Sequence, residues 1–263
     1  MSSFFESPLG SRNFSTFDAF KNANDLTKPV QQHLIKVYAT LATTCLIAAA
    51  GSYAHISGLF LFGGGFLSFL IGFASLIGIK AFPNIPDNKN IRYGLLFNFA
   101  FMEGLSIGPL VDYSLQIDYS GRILLIATAF TSLIFGSFTL SSLLSNKRIF
   151  IYLGGLLTSI ISLLTLMSLI NLFIGSRLLF TAELYLGLFM FCGYVIFDTQ
   201  LIIYQATYLS SRDVVQHSLE LFIDLVGIFV RILHILIKNS EDNEKRRHNN
   251  SKRNNRKTAY AGY

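Results

Sequence analysis

The sequence predicts an all-α integral membrane protein, with six transmembrane helices and a seventh, polar-faced segment gathered in one bundle. Hydrophobic residues make up 52% of the 263-residue chain and charged residues 14%. A soluble domain carries about a quarter charged residues. Mean hydropathy is +0.50, and six apolar runs reach the roughly twenty residues that a crossing helix needs. Long continuous runs, in place of short alternating ones, argue for helices over a transmembrane barrel.

The chain divides into a polar segment (1–33), a membrane domain (34–238) and a basic tail (239–263). The opening segment is polar and of mixed charge, so a cleavable signal is not expected and the first span would serve as an uncleaved one. The final "TAYAGY" is neither a prenylation box nor a retrieval signal. The expected spans are 34–55, 59–82, 93–115, 123–144, 149–173 and 178–203. Small residues inside them ("FGGGF", "LGGLL", and Gly104 and Gly108 of "GLSIGPL") suit close helix packing, and Pro109 can kink the third helix. Cys45 and Cys192 lie in apolar runs and read as small buried hydrophobes.

Loop charges set the orientation. Arg12, Lys21, Lys28 and Lys36 precede or open the first span. Lys89 and Arg92 lie between the second and third, with Lys80 just before that loop, Lys147 and Arg148 between the fourth and fifth, and Arg212 after the sixth. The opposite loops offer Arg122 and Arg177 beside Asp112 and Asp118, so the N-terminus is expected in the cytosol.

The seventh segment, 216–237, carries Glu220, Asp224, Arg231 and His234. On a helical wheel His217, Glu220, Asp224, Gly227, Arg231, His234 and Lys238 share one face. Leu219, Phe222, Ile223, Val226, Val230, Leu233 and Ile237 lie elsewhere around the helix and make a lipid-like face. The tail holds Lys245, Arg246, Arg247, Lys252, Arg253, Arg256 and Lys257, seven bases against three acids, and such a tail belongs with the cytosolic charges. Both termini are therefore expected in the cytosol, with the seventh segment re-entrant or held in the bundle without a full crossing. A helix lying on the membrane surface is the alternative, although two acids on its polar face argue against it.

Soluble-enzyme motifs are missing: the chain has no phosphate-binding glycine loop, HExxH, GxSxG or CxxC. The expectation is a non-enzymatic protein without a cofactor. Attention falls on ionisable residues in apolar runs, since a charge at membrane depth costs several kcal/mol unless it has a partner or water. Asp198 in "VIFDTQLII" and Asp224 in "LFIDLVG" stand out; Arg231, Glu220, Glu103 and His234 are supporting candidates. Glu183 sits near the start of its span, where the membrane interface can account for it, and Glu103 suits a structural hydrogen bond equally well. Two neighbouring carboxylates share a proton and titrate as a pair. A bridge that merely holds the seventh helix in place stays open as the plainer reading.

These segments are similar to the Bax inhibitor-1 family: "QQHLIKVYATLA", "SIGPL", "FTLSSL", "YLGGLL", "YLGLFMFCGYVIFDTQLII" and "LFIDLVGIFVRIL" carry the resemblance from Gln31 to about Ile237. It implies an endoplasmic-reticulum membrane protein that suppresses cell death and lets calcium leak in a pH-dependent way. The family's paired aspartates, pH sensor and gate, fall on Asp198 and Asp224, with a transient calcium contact there. Calcium is then the permeant ion. Membrane lipid is the expected partner, with Bcl-family proteins or endoplasmic-reticulum stress sensors implied and nucleic acid not expected. A non-conducting scaffold for those proteins is the alternative. The tail is longer and richer in Asn and Arg than the family's lysine-rich form, and Glu103 has no assigned counterpart.

Overall fold

The computed structural model describes residues 27–59, 65–144, 150–209 and 212–261. Those residues form seven α-helices and no strand: α1 (Lys28–Ile56), α2 (Phe66–Ala81), α3 (Lys89–Ile117), α4 (Arg122–Leu144), α5 (Phe150–Ile174), α6 (Arg177–Tyr208) and α7 (Val214–Ala261). Five of them, α1 and α3–α6, are long and apolar enough to span a membrane. At 16 residues, about 24 Å, α2 is shorter than a typical ~30 Å hydrocarbon core. Pro29 at the first turn starts α1 six residues before its apolar run, and α3 runs unbroken through Pro109.

The tightest seam joins α1 to α3, and glycines make it. A Cβ on Gly104 would strike the Ala48 carbonyl, and one on Gly51 would strike that of Phe101. Ser52 Oγ then donates to the Gly104 carbonyl at 2.9 Å. On α5, Gly154 leaves room for the Phe197 ring, whose Cε2 would lie 2.8 Å from an added Cβ. "FGGGF" falls largely, and Lys147 and Arg148 wholly, outside the described residues. Cys45 is half-buried, Cys192 is buried, and both are free.

The seventh helix corrects the sequence reading. It is neither re-entrant nor a surface helix but one unbroken rod at the centre of the bundle, packed on α1, α3, α4 and α6. Leu219, Phe222, Leu233 and Ile237, expected against lipid, are buried against other helices. Ile223 of the same face stays exposed at the outer surface. With helices on most sides its polar residues meet protein, so low hydropathy does not bar it from the membrane interior. It starts beside Arg92 of α3, where Asp213 pairs with that arginine. At its far side Lys238 donates to Thr181 of α6, and Tyr113 of α3 donates to Glu241 at 2.6 Å. Arg92 and Tyr113 stand 21 residues apart on one helix, about 31 Å. Hence α7 traverses the bundle, and the tail leaves from the end opposite Lys28.

Candidate functional site

Asp198 lies ten residues before the end of α6 and Asp224 ten residues into α7, so antiparallel packing brings them to one level, about 15 Å from the basic end. Both are buried, with 9% and 4% of their surface exposed. Their carboxyl groups lie within hydrogen-bonding reach of each other. Such a bond between two carboxyl groups requires a proton on one of them. Asp224 Oδ2 has no further partner. Glu220, one turn earlier on α7, adds a third negative neighbour; Gln216 donates to one of its oxygens and the other is unpartnered.

The residues after Asp198 explain why "FDTQ" is one unit. Successive residues point in different directions around α6. Asp198 meets α7, the Thr199 hydroxyl converges with those of Tyr38 (α1) and Thr139 (α4), and Gln200 donates to the Ser142 carbonyl of α4. Ser142 Oγ returns a bond to the Ile196 carbonyl at 2.8 Å. One short stretch thus bonds α6 to α4 and turns a carboxylate toward the central helix.

Two supporting assignments move. Arg231 is not beside the aspartates: its Nη1 donates to Gly227 O (3.2 Å), its Cζ lies 4.4 Å over the Phe191 ring, and Glu183 is the acid it senses. Two helical turns separate it from Asp224, and Gly187 leaves the space its guanidinium occupies. His234 donates from Nδ1 to Val230 O (2.9 Å) and meets Phe180 edge-on. Glu103 lines a separate cavity with Arg231, and Glu183 accepts from Ser168. Of the supporting residues, Glu220 alone stands with the pair. The tail bases lie on the helical extension of α7, where Arg246 and Arg247 are exposed and Lys245 lies 3.8 Å from Glu241; Lys252, Arg253, Arg256 and Lys257 follow on the same helix.

A polar lock at the entry of α7 escaped the sequence reading. His33 of α1 and His217 of α7 are almost wholly buried, with His33 Nε2 2.8 Å from His217 Nδ1. His217 Nε2 donates to Gln205 Oε1 of α6 at 2.9 Å, which leaves its Nδ1 to accept from His33. Ser218 Oγ donates to the Val37 carbonyl (3.0 Å), and Arg92 Nη2 meets Asp213 Oδ2 at 2.6 Å. The signal was faint: isolated polar residues at the starts of distant spans, 184 positions apart for the histidines.

Among the described residues no group of three His, Cys, Asp or Glu gathers to hold a metal.

Residues 30–241 match the family described as inhibitor of apoptosis-promoting Bax1. Bax inhibitor 1 of Bos taurus is 42% identical over 233 residues, covering 88% of this chain and 96% of that protein. The Homo sapiens protein of that name is 41% identical over 231 residues (87% and 95%), and that of Arabidopsis thaliana 41% over 244 residues (92% and 95%).

Proposed function

The chain belongs to the Bax inhibitor family and is a multi-pass membrane protein, and from that premise we propose that it suppresses cell death from the endoplasmic-reticulum membrane by a pH-sensitive calcium leak. One observation carries the mechanism: two buried carboxyl groups, from α6 and α7, face each other at membrane depth. With one proton between them, Asp198 and Asp224 bond and fasten α6 to the central helix. With both ionised, like charges repel in a medium that screens them weakly, and the contact loosens. Glu220 adds to that repulsion. A calcium ion reaching the loosened pair offsets the charge and passes on, because no complete ligand shell holds it. The basic end of the bundle, with Lys36, Lys80, Lys89 and Arg212, faces the cytosol in this reading.

A scaffold that moves no ions is the second reading, favoured by the tail. Beyond Glu241, α7 continues for twenty residues as a helix that carries seven bases. Such a rod suits an acidic partner, a Bcl-family protein or a stress sensor, or anionic lipid. Purified protein in calcium-loaded liposomes separates the two. Leak that changes with pH and loses that response in Asp198→Asn or Asp224→Asn supports the first, and no leak at any pH supports the scaffold.

A further inference from the structure

The short helix α2 packs principally on α3. Its distance from α6 and α7 leaves a cavity of about 350 Å³ in the wall of the bundle. Phe73, Phe99, Phe191 and Val226 make most of it apolar, while Glu103 and Arg231 supply the charge. Phe73 and Ile223 at its rim are exposed on the outer, lipid-facing surface, so the opening is lateral.

Arg231 is the unusual member. An arginine has five N–H donors and no acceptor. Here Nη1 bonds a carbonyl of its own helix, and Nε is buried without a partner. The ion pairs among the described residues are Arg92–Asp213 and Lys245–Glu241, so no carboxylate lies at ion-pair distance from Arg231. Glu183, the acid it senses, is engaged by Ser168. Beyond one carbonyl bond and the Phe191 ring 4.4 Å below its Cζ, the guanidinium has donors left that an anionic oxygen would satisfy, and Gly187 leaves room for the group.

We propose that this lateral cavity binds a long-chain carboxylate, a free fatty acid from the surrounding bilayer, with its head on Arg231 and its chain among the phenylalanines. The planar fork of arginine matches a carboxylate in two-pronged fashion. The volume lies at the small end of ligand pockets, which suits one acyl chain. The inference does not rest on ion conduction.

The test uses the full chain in nanodiscs and a photoactivatable long-chain fatty acid, with labelled residues located by mass spectrometry. Label is expected on α2 and α7 residues of the cavity, such as Phe73, Val226 and Val230. Oleate should compete and its methyl ester, with the same chain and no charge, should not. Arg231→Gln should lower labelling roughly tenfold or more, the loss expected for a hydrogen bond to a charged group. Ile223→Trp, at an exposed rim position, should block entry while leaving the guanidinium intact, so the test survives if Arg231→Gln misfolds. Equal competition by the ester would reduce the cavity to an apolar groove and overturn the proposal. So would unaltered labelling in both variants, or equal competition by a lysophospholipid. Label that appears only in Glu103→Gln would show that Glu103 is the arginine's own partner, which also overturns it.

Discussion

Asp213 holds the entry of α7 in two ways, and substitution can separate them. Its Oδ2 meets Arg92 at 2.6 Å, and its Oδ1 accepts the Gln216 backbone N–H at 3.1 Å, capping the helix. The arginine side chain is 4% exposed and the aspartate 16%. Breaking a buried ion pair costs about 3–5 kcal/mol, because the surviving charge stays buried alone. The partial exposure of Asp213 lets water take up some of that, so Asp213→Asn should cost about 3 kcal/mol while keeping a good capping residue. Asp213→Ala loses the cap as well, about 1 kcal/mol more. The double variant Arg92→Met, Asp213→Asn removes both charges and should be more stable than Asp213→Asn alone, since no orphan charge remains. Equilibrium unfolding in mixed micelles reads all four proteins. Equal stability of the Asn and Ala variants would refute the cap, and a double variant no better than Asp213→Asn would refute the buried-pair argument.

Gly104→Ala should destabilise the α1–α3 seam by about 1–3 kcal/mol, because its Cβ meets the Ala48 backbone. Gly94→Ala, with open space around it, should be neutral or stabilising by up to about 1 kcal/mol in the same unfolding assay. His217→Leu strands His33 and Gln205, both hydrogen-bonded to it, at about 1–3 kcal/mol for each buried group, and hydrogen exchange should show the first turns of α7 opening sooner. Cysteines placed at Lys89 and Arg246 should react with an impermeant maleimide from opposite faces of sealed vesicles. Labelling of both from one face would contradict the full traverse of α7.

Most of the membrane architecture was legible because lipid imposes a simple rule. Where a helix faces hydrocarbon it must be apolar over about twenty residues, and α1 and α3–α6 announce themselves so. The rule fails for α7. Its neighbours are helices, and they accept His217, Asp224 and Leu233 alike. Helical periodicity then sent Leu219, Phe222, Leu233 and Ile237 to a lipid-like face, whereas they are buried against other helices. The aspartates were visible as carboxylates in apolar runs, and the antiparallel order of α6 and α7 sufficed to bring them together. Arg231 shares the helical face of Asp224 but lies two turns further on, a spacing the sequence itself gives. The His33–His217–Gln205 lock depends on three helix rotations at once, which no single stretch encodes.

The central claim is that Asp198 and Asp224 act as one proton-sharing unit in a calcium path. Its most direct measurement is calcium leak from liposomes across pH 5 to 8 for the parent protein, Asp198→Asn, Asp224→Asn and the double variant. The account predicts a leak that varies with pH in the parent and a flattened response in each single variant. The double variant should add little to either, because the groups work together. Single variants that keep the parent's leak and its full pH response would contradict the account and leave the aspartates as a structural clasp.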